Sequence, residues 1–170
     1  MTEGPLAIWT VGHSTRSIEE FLALLSANRI DLVVDIRSLP GSRRYPHFDQ
    51  EPLVATLREH GIDYLWLEEL GGRRKPHKDS IHTEWRNKAF QAYADYMDTP
   101  AFVAGAERVM ALAADHRLAL MCAEAVWWRC HRRMVSDYLT TRGITVVHIM
   151  SEGRTSVHSL GKPVGEAAEV

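Results

Sequence analysis

The residues best suited to chemistry crowd into one segment, Leu118 to Arg133, which reads LALMCAEAVWWRCHRR. It holds both cysteines of the chain, Cys122 and Cys130, together with Glu124, His131, Arg132 and Arg133. A thiol attacks only as its thiolate, and nearby cations or a helix N-terminus are needed to bring its pKa down from about 8.5. Cys122 is therefore a candidate nucleophile. Glu124 and His131 are candidates for acid/base work, and Arg132 for holding an anion. Each has a bland counterpart: an inert thiol closing an apolar run, a semi-buried histidine, an internal ion pair with Glu124, Glu68 or Glu69. Arg133 stands four residues before Asp137 and reads as half of a surface ion pair.

The elements around this segment give it weight. Leu118–Met121 reads as a buried strand and Cys130–Thr141 as a helix ended by Gly143. Helix N-termini favour Asp and Glu and disfavour cations. The chain follows that rule where Glu19 and Glu20, Glu51 and Glu84 open other predicted helices, and breaks it at Arg129–Arg133. A local violation of this kind marks a functional site, most simply one that receives an anion.

Further strands are expected at Ala7–Val11, Leu32–Ile36, Asp63–Leu67 and Thr145–Ile149. Helices are expected from a capping box at Ser17/Glu20, over Glu51–Glu59 with Gly61 as its stop, and over Thr83–Met97 and Pro100–Ala114. Strands that alternate with helices and read as continuous apolar runs predict a single α/β domain with a mainly parallel sheet of about five strands. Helices cover both faces, a Rossmann-like layering. The domain should span residues 1–160, with 161–170 a loosely held tail. Ligands in such sheets bind at the carboxyl ends of strands, where His13, Asp35 with Arg37, Glu68 with Glu69, Cys122 with Glu124, and His148 are expected.

These ends supply the remaining candidates. Asp35 follows three apolar residues, and a buried carboxylate needs a partner, for which Arg37 is the obvious choice; direct catalysis is its alternative role. Gly12, Gly71 and Gly72 permit tight turns or close backbone approach to a ligand. His13 and Ser14 follow Gly12 directly. Trp127 suits stacking on a ring, or packing beneath its own loop. Half of the twenty Lys and Arg residues fall in three segments, holding Arg37, Arg43 and Arg44; Arg73, Arg74, Lys75 and Lys78; and Arg129, Arg132 and Arg133. Zinc held by Cys122, Cys130, His131 and His13 is conceivable, but the spacing matches no standard zinc motif, so no metal and no cofactor are assigned.

Composition bounds these readings. With 170 residues, 45% of them hydrophobic, the chain can bury one full core. Its formal charge of −2 says nothing about partners; the clustering of its cations does. No 18-residue apolar run and no signal-peptide pattern are present, and two cysteines suit a reducing compartment, so a cytoplasmic chain without membrane attachment is expected.

The motifs GHSTRS (Gly12–Ser17), VVDIRSLPGSR (Val33–Arg43), LGGRR (Leu70–Arg74) and MCAE…CHRR (Met121–Arg133) resemble the family called domain of unknown function 488. The resemblance spans about Ile8 to Gly153. It implies that Gly12, His13, Ser14, Asp35, Arg37, Gly71, Gly72, Cys122, Glu124, Cys130, His131 and Arg132 belong to the family pattern. It implies no settled activity. Relatives carry a more acidic, proline-containing segment where this chain has Ala125-Val126-Trp127-Trp128-Arg129, so ligand preference differs here.

Three function classes follow. The first is an enzyme on an anionic small molecule or nucleotide-like substrate, with Cys122 or Glu124 at the centre, His131 moving a proton, and Arg37, Arg73 and Arg132 holding charge. The second is a nucleic-acid-binding module that meets phosphates with basic loops and bases with tryptophans. The third is a thiol or metal sensor built on Cys122 and Cys130.

Overall fold

The computed structural model describes residues 6–75, 78–82 and 85–160 of the chain. Six strands form one sheet: β1 (Ala7–Gly12), β2 (Leu32–Asp35), β3 (Asp63–Trp66), β4 (Leu118–Cys122), β5 (Thr145–Ser151) and β6 (Arg154–Val157). Their order is β3-β2-β4-β1-β5-β6, and every pairing is parallel except β5 with β6. Five α-helices complete the described domain: α1 (Ile18–Ala27), α2 (Gln50–Glu59), α3 (Lys88–Met97), α4 (Pro100–Ala113) and α5 (Arg132–Thr141). It is a single α/β domain with helices on both sheet faces.

Strand alternation decides which face each side chain joins. Leu118, Leu120 and Cys122 point with Val34 and Ile36 into a core built with Tyr93, Phe102, Val109, Val135 and Leu139 of α3–α5. Ala119 and Met121 point the other way, with Val11 and Val33, against Phe21 and Leu25 of α1 and Leu53 and Leu57 of α2. β4 and β1 lie side by side at the centre, yet β1 leads into α1 on one face and β4 into α5 on the other. Ligands in open parallel sheets bind beyond the carboxyl ends of the strands.

The capping box forms as expected, with Ser17 Oγ accepting from the Glu20 N–H and the Glu20 carboxylate from the Ser17 N–H. Gly61 (φ +73°) and Gly143 (φ +84°) follow α2 and α5 in the left-handed region that stops a helix.

Four expectations change. α3 starts at Lys88, where the Asn87 side chain caps it, rather than at Thr83. Thr83, Glu84 and Pro76 lie outside the described residues, as does the 161–170 tail. α5 starts at Arg132, because Trp127–Arg129 forms a separate turn of 3-10 helix and Cys130 is extended, so Cys130 precedes the helix instead of opening it. β5 runs on to Ser151, which places His148 inside the strand and fully buried rather than at its end. The sixth strand carries no apolar pattern to announce it, being four exposed residues, Arg154–Val157, paired across a tight turn at Gly153 (φ +76°).

Among the described residues no helix is long and apolar enough to cross a membrane.

Candidate active site

Cys122 is the last residue of β4 and aligns with Gly12, the last of β1. The chain then turns back over the end of β1. His13 donates its N–H to the Cys122 carbonyl and Ser14 to that of Ala123, both at 2.9 Å. Gly12 makes this possible: a Cβ there would lie 1.6 Å from the Glu124 carbonyl oxygen. The returning loop brings Cys130 against Cys122, with the two Sγ atoms 3.3 Å apart.

Arg132 sets the electrostatics. Only 1% of its surface is exposed. Its Nη2 donates to the carbonyls of Glu124 and Ala125, both at 3.1 Å, and its Nη1 reaches Thr10 Oγ1 at 3.4 Å. Its Nε has no hydrogen-bond partner, and among the described residues it pairs with no carboxylate. A buried cation without a counter-anion is costly. Its charge acts on both thiols, while the Glu124 carboxylate acts on Cys122 in the opposite sense. The first proton of the pair accordingly leaves easily. The Cys122 thiol is brought down to about 7, chiefly because the Cys130 S–H donates to it, with the Arg132 charge overcoming part of the cost of burial. Cys130, donating that hydrogen bond and partly desolvated, is held well above the ordinary thiol range. The Arg132 backbone N–H also donates to Cys130 Sγ, at 3.3 Å.

Both sulfurs open into a cavity of about 340 Å³. Its wall includes His131, Glu124 and Arg129 from the returning loop, and Arg37, Ser38, Leu39 and Gly41 from the loop after β2. Gly72 and Arg73, with Ala89 and Phe90 of α3, complete it. His131 Nε2 donates to the Ile36 carbonyl at 2.9 Å, and the Leu70 carbonyl also meets the ring. Its Nδ1 lies against Gly72, where a Cβ would come within 2.5 Å of it. Burial pushes His131 down to about 4, so its ring is neutral near pH 7. Gly71 likewise allows its loop to approach Ser38, whose Oγ would lie 2.7 Å from a Cβ there.

The other predicted site residues sit elsewhere. Asp35 ends β2 beside β4 but faces the opposite side of the sheet from Cys122. There it binds Arg37 at 2.8 Å and accepts the Tyr64 hydroxyl. Arg37 also donates to the Phe48 carbonyl, so its guanidinium is committed inside the protein even though the residue edges the cavity. His13 is buried on that same face, stacked on Phe48 at 4.4 Å. This separates it from the cysteines, and the described residues contain no group of three or more His, Cys, Asp and Glu able to hold a metal. Ser14 serves through its backbone. Arg43 is exposed and does not line the cavity.

Trp127 is 7% exposed and lies flat on His148, with ring centroids 4.4 Å apart. It packs beneath its loop and presents no surface for a base. Arg133 is buried with its guanidinium over Trp85, and Asp137 instead accepts from His158 at 2.6 Å. Two of the three cations that break the helix rule therefore work inward, Arg132 on carbonyls and thiols and Arg133 on an aromatic ring, while Arg129 is exposed at the cavity.

Behind Trp127 runs a buried chain. Arg132 donates to Thr10, Thr10 to His148 at 2.6 Å, His148 to His158 at 2.9 Å, and His158 to Asp137. With the Asp137 carboxylate as acceptor, every bond can run in this one direction with both imidazoles neutral. Sequence reasoning gave His148 only a place at a strand end and gave His158 no role.

A family model described as domain of unknown function DUF488 matches residues 17–139. The chain belongs to this family. The match lies inside the Ile8–Gly153 span of the motif resemblance and takes in β2, the Gly71-Gly72 loop, both cysteines and most of α5. Gly12, His13 and Ser14 fall just before it. Searches of curated proteins and of solved structures give no match.

Ser38, Leu39 and Gly41 line the cavity without having been singled out, although they lie within the VVDIRSLPGSR motif that pointed to Asp35 and Arg37. Ala89 and Phe90 come from a helix start with no chemical signature. Arg129 was noted only as part of a basic cluster.

Proposed function

We propose that this protein is an enzyme that attacks an anionic small molecule with a thiolate of the Cys122–Cys130 pair. The observation that carries the reading is the buried Arg132, which pairs with no carboxylate among the described residues and whose charge acts on two thiols in contact with each other. A thiolate supplies the missing counter-charge, and the same charge makes the sulfur nucleophilic at neutral pH.

The cavity fits the rest of the role. At about 340 Å³ it sits at the low end of the range for small-molecule pockets. The exposed Arg73 makes no ion pair among the described residues and is the cation best placed to meet a substrate's negative group. Leu39 and Phe90 offer an apolar wall to the remainder of the substrate, a size and polarity that suit a small acid or a nucleotide fragment. His131, its ring neutral near pH 7, is the residue that moves a proton. A cytoplasmic, reducing setting would keep both thiols in the required state.

Protection of the thiols tests this. Inorganic phosphate or sulfate should slow alkylation of the wild-type protein by a small reagent, and Arg73→Ala should weaken that protection at least tenfold. Equal protection in both proteins, or none in either, would contradict an anion site at this cavity.

A further inference from the structure

We propose that Cys122 and Cys130 form a dithiol–disulfide couple that carries out exchange with a small anionic disulfide bound in the same cavity. This deepens the thiolate reading and rests on it by naming the reaction class. Four observations support it. The two sulfurs are already 3.3 Å apart, and each lines the cavity. They are the only cysteines in the chain, so no other internal thiol competes. The segment joining them ends in the extended Cys130, just before α5 begins at Arg132. No third ligand converts the pair into a metal site among the described residues.

The step balances as follows. The Cys122 thiolate attacks one sulfur of R–S–S–R, the substrate S–S bond breaks, and R–S⁻ leaves and takes the Cys130 proton. The new Cys130 thiolate then attacks the Cys122 sulfur of the mixed disulfide. The Cys122–Cys130 bond forms and a second R–S⁻ departs. Two electrons pass from the protein dithiol to the substrate disulfide. Excess low-molecular-weight thiol reverses both steps and restores the enzyme.

Arg132 makes this couple different from a structural bridge. The reduced pair carries a negative charge beside the buried guanidinium, and the disulfide carries none. Oxidation therefore removes a counter-charge to Arg132, which favours the reduced form and makes the disulfide easy to reduce.

Equilibration in glutathione redox buffers, read by intact mass and free-thiol count, tests the proposal. Wild type should pass between two thiols and an internal disulfide without accumulating a glutathione adduct. Cys130→Ser should retain one glutathione on Cys122. Arg132→Met should favour the disulfide at least tenfold, a shift of about 30 mV for a two-electron couple. Arg132→Lys, which keeps the charge, should shift it less and guards against a merely unfolded variant. Wild type that keeps both thiols in oxidised buffer, or stops at a stable adduct, would overturn the couple. So would an unchanged balance in folded Arg132→Met. If the thiols still label with a lowered pKa in those cases, the thiolate enzyme survives without the exchange reaction; if that is lost as well, both fail.

Discussion

The carbonyl oxygen of Glu124 occupies the space that a side chain on Gly12 would fill, 1.6 Å from the ideal Cβ position. Two strands that pair at their carboxyl ends are thereby locked to one loop, and that loop carries Cys130 back to Cys122. The same carbonyl accepts a hydrogen bond from Arg132, which ties the charged helix start to the fold-back. Backbone close approach, rather than a side-chain contact, assembles the thiol pair.

Gly12→Ala should therefore displace the 123–126 loop and separate the sulfurs. A destabilisation of about 3 kcal/mol, the upper end for overpacking, is expected in denaturant unfolding. The fast thiol labelling of wild type should be lost even under conditions where the variant is folded. Gly61→Ala serves as a comparison, because nothing lies within 4 Å of its Cβ position and only its positive φ is strained. Equal labelling in wild type and Gly12→Ala would show that the loop does not depend on this contact.

Acid should weaken the protein through its buried histidines. Burial lowers His13 and His131 to about 4 and His148 to about 2, against an ordinary value of 6.5. Each folded-state pKa is depressed, so the neutral rings contribute stability that is complete above pH 6.5 and lost as pH falls toward the folded values. Below 6.5 the unfolded chain binds protons that the folded chain refuses, at up to about 1.4 kcal/mol per pH unit for each group. Stability measured by denaturant should fall between pH 7 and pH 5, and His148→Gln should flatten that slope. A flat profile in wild type would show that these rings gain their protons without leaving their buried positions.

Salt dependence separates a small anionic ligand from a nucleic acid. Binding of phosphate at the cavity should weaken only gently with salt, because Arg73 neutralises one group. A binder of single strands would show a log–log slope near 0.7 per phosphate contacted. Trp127 is already stacked on His148, which leaves the half-buried Trp128 as the one tryptophan of that loop able to meet a base. Oligonucleotide binding with a slope of several units would contradict the small-molecule reading.

The layered fold was legible because β1, β2, β4 and β5 are apolar runs separated by helical periods, and burial on both faces leaves that signature whatever the loops do. β6 left none, since an exposed edge strand gains nothing from hydrophobic residues; only the Glu152-Gly153 turn hinted at it. The site was legible in its centre. Spacing placed Cys122, Glu124, Cys130 and His131 in one segment, and the fold brings them to one cavity. Face assignment was not legible at strand ends. Asp35 and Cys122 each close an apolar run, yet the strand register turns them to opposite sides of the sheet. Nor could the sequence reveal that Arg132 points inward. An arginine beside a helix start reads as a ligand for an external anion until the Glu124 and Ala125 carbonyls are seen to take its hydrogen bonds.

The thiolate itself is tested most directly by the pH dependence of alkylation in wild type, Cys122→Ser and Cys130→Ala. Wild type should label with a midpoint near 7, reflecting the Cys130 S–H donated to Cys122 and the charge of Arg132. Cys130→Ala removes the larger of these influences and leaves burial in place, so its midpoint should rise to or above the ordinary value of about 8.5. Cys122→Ser should lose the labelling component near 7 and leave only the half-buried Cys130 thiol, which reacts at higher pH. A wild-type midpoint at 8.5 or higher, or one that Cys130→Ala leaves unmoved, would contradict a thiolate held between Cys130 and Arg132.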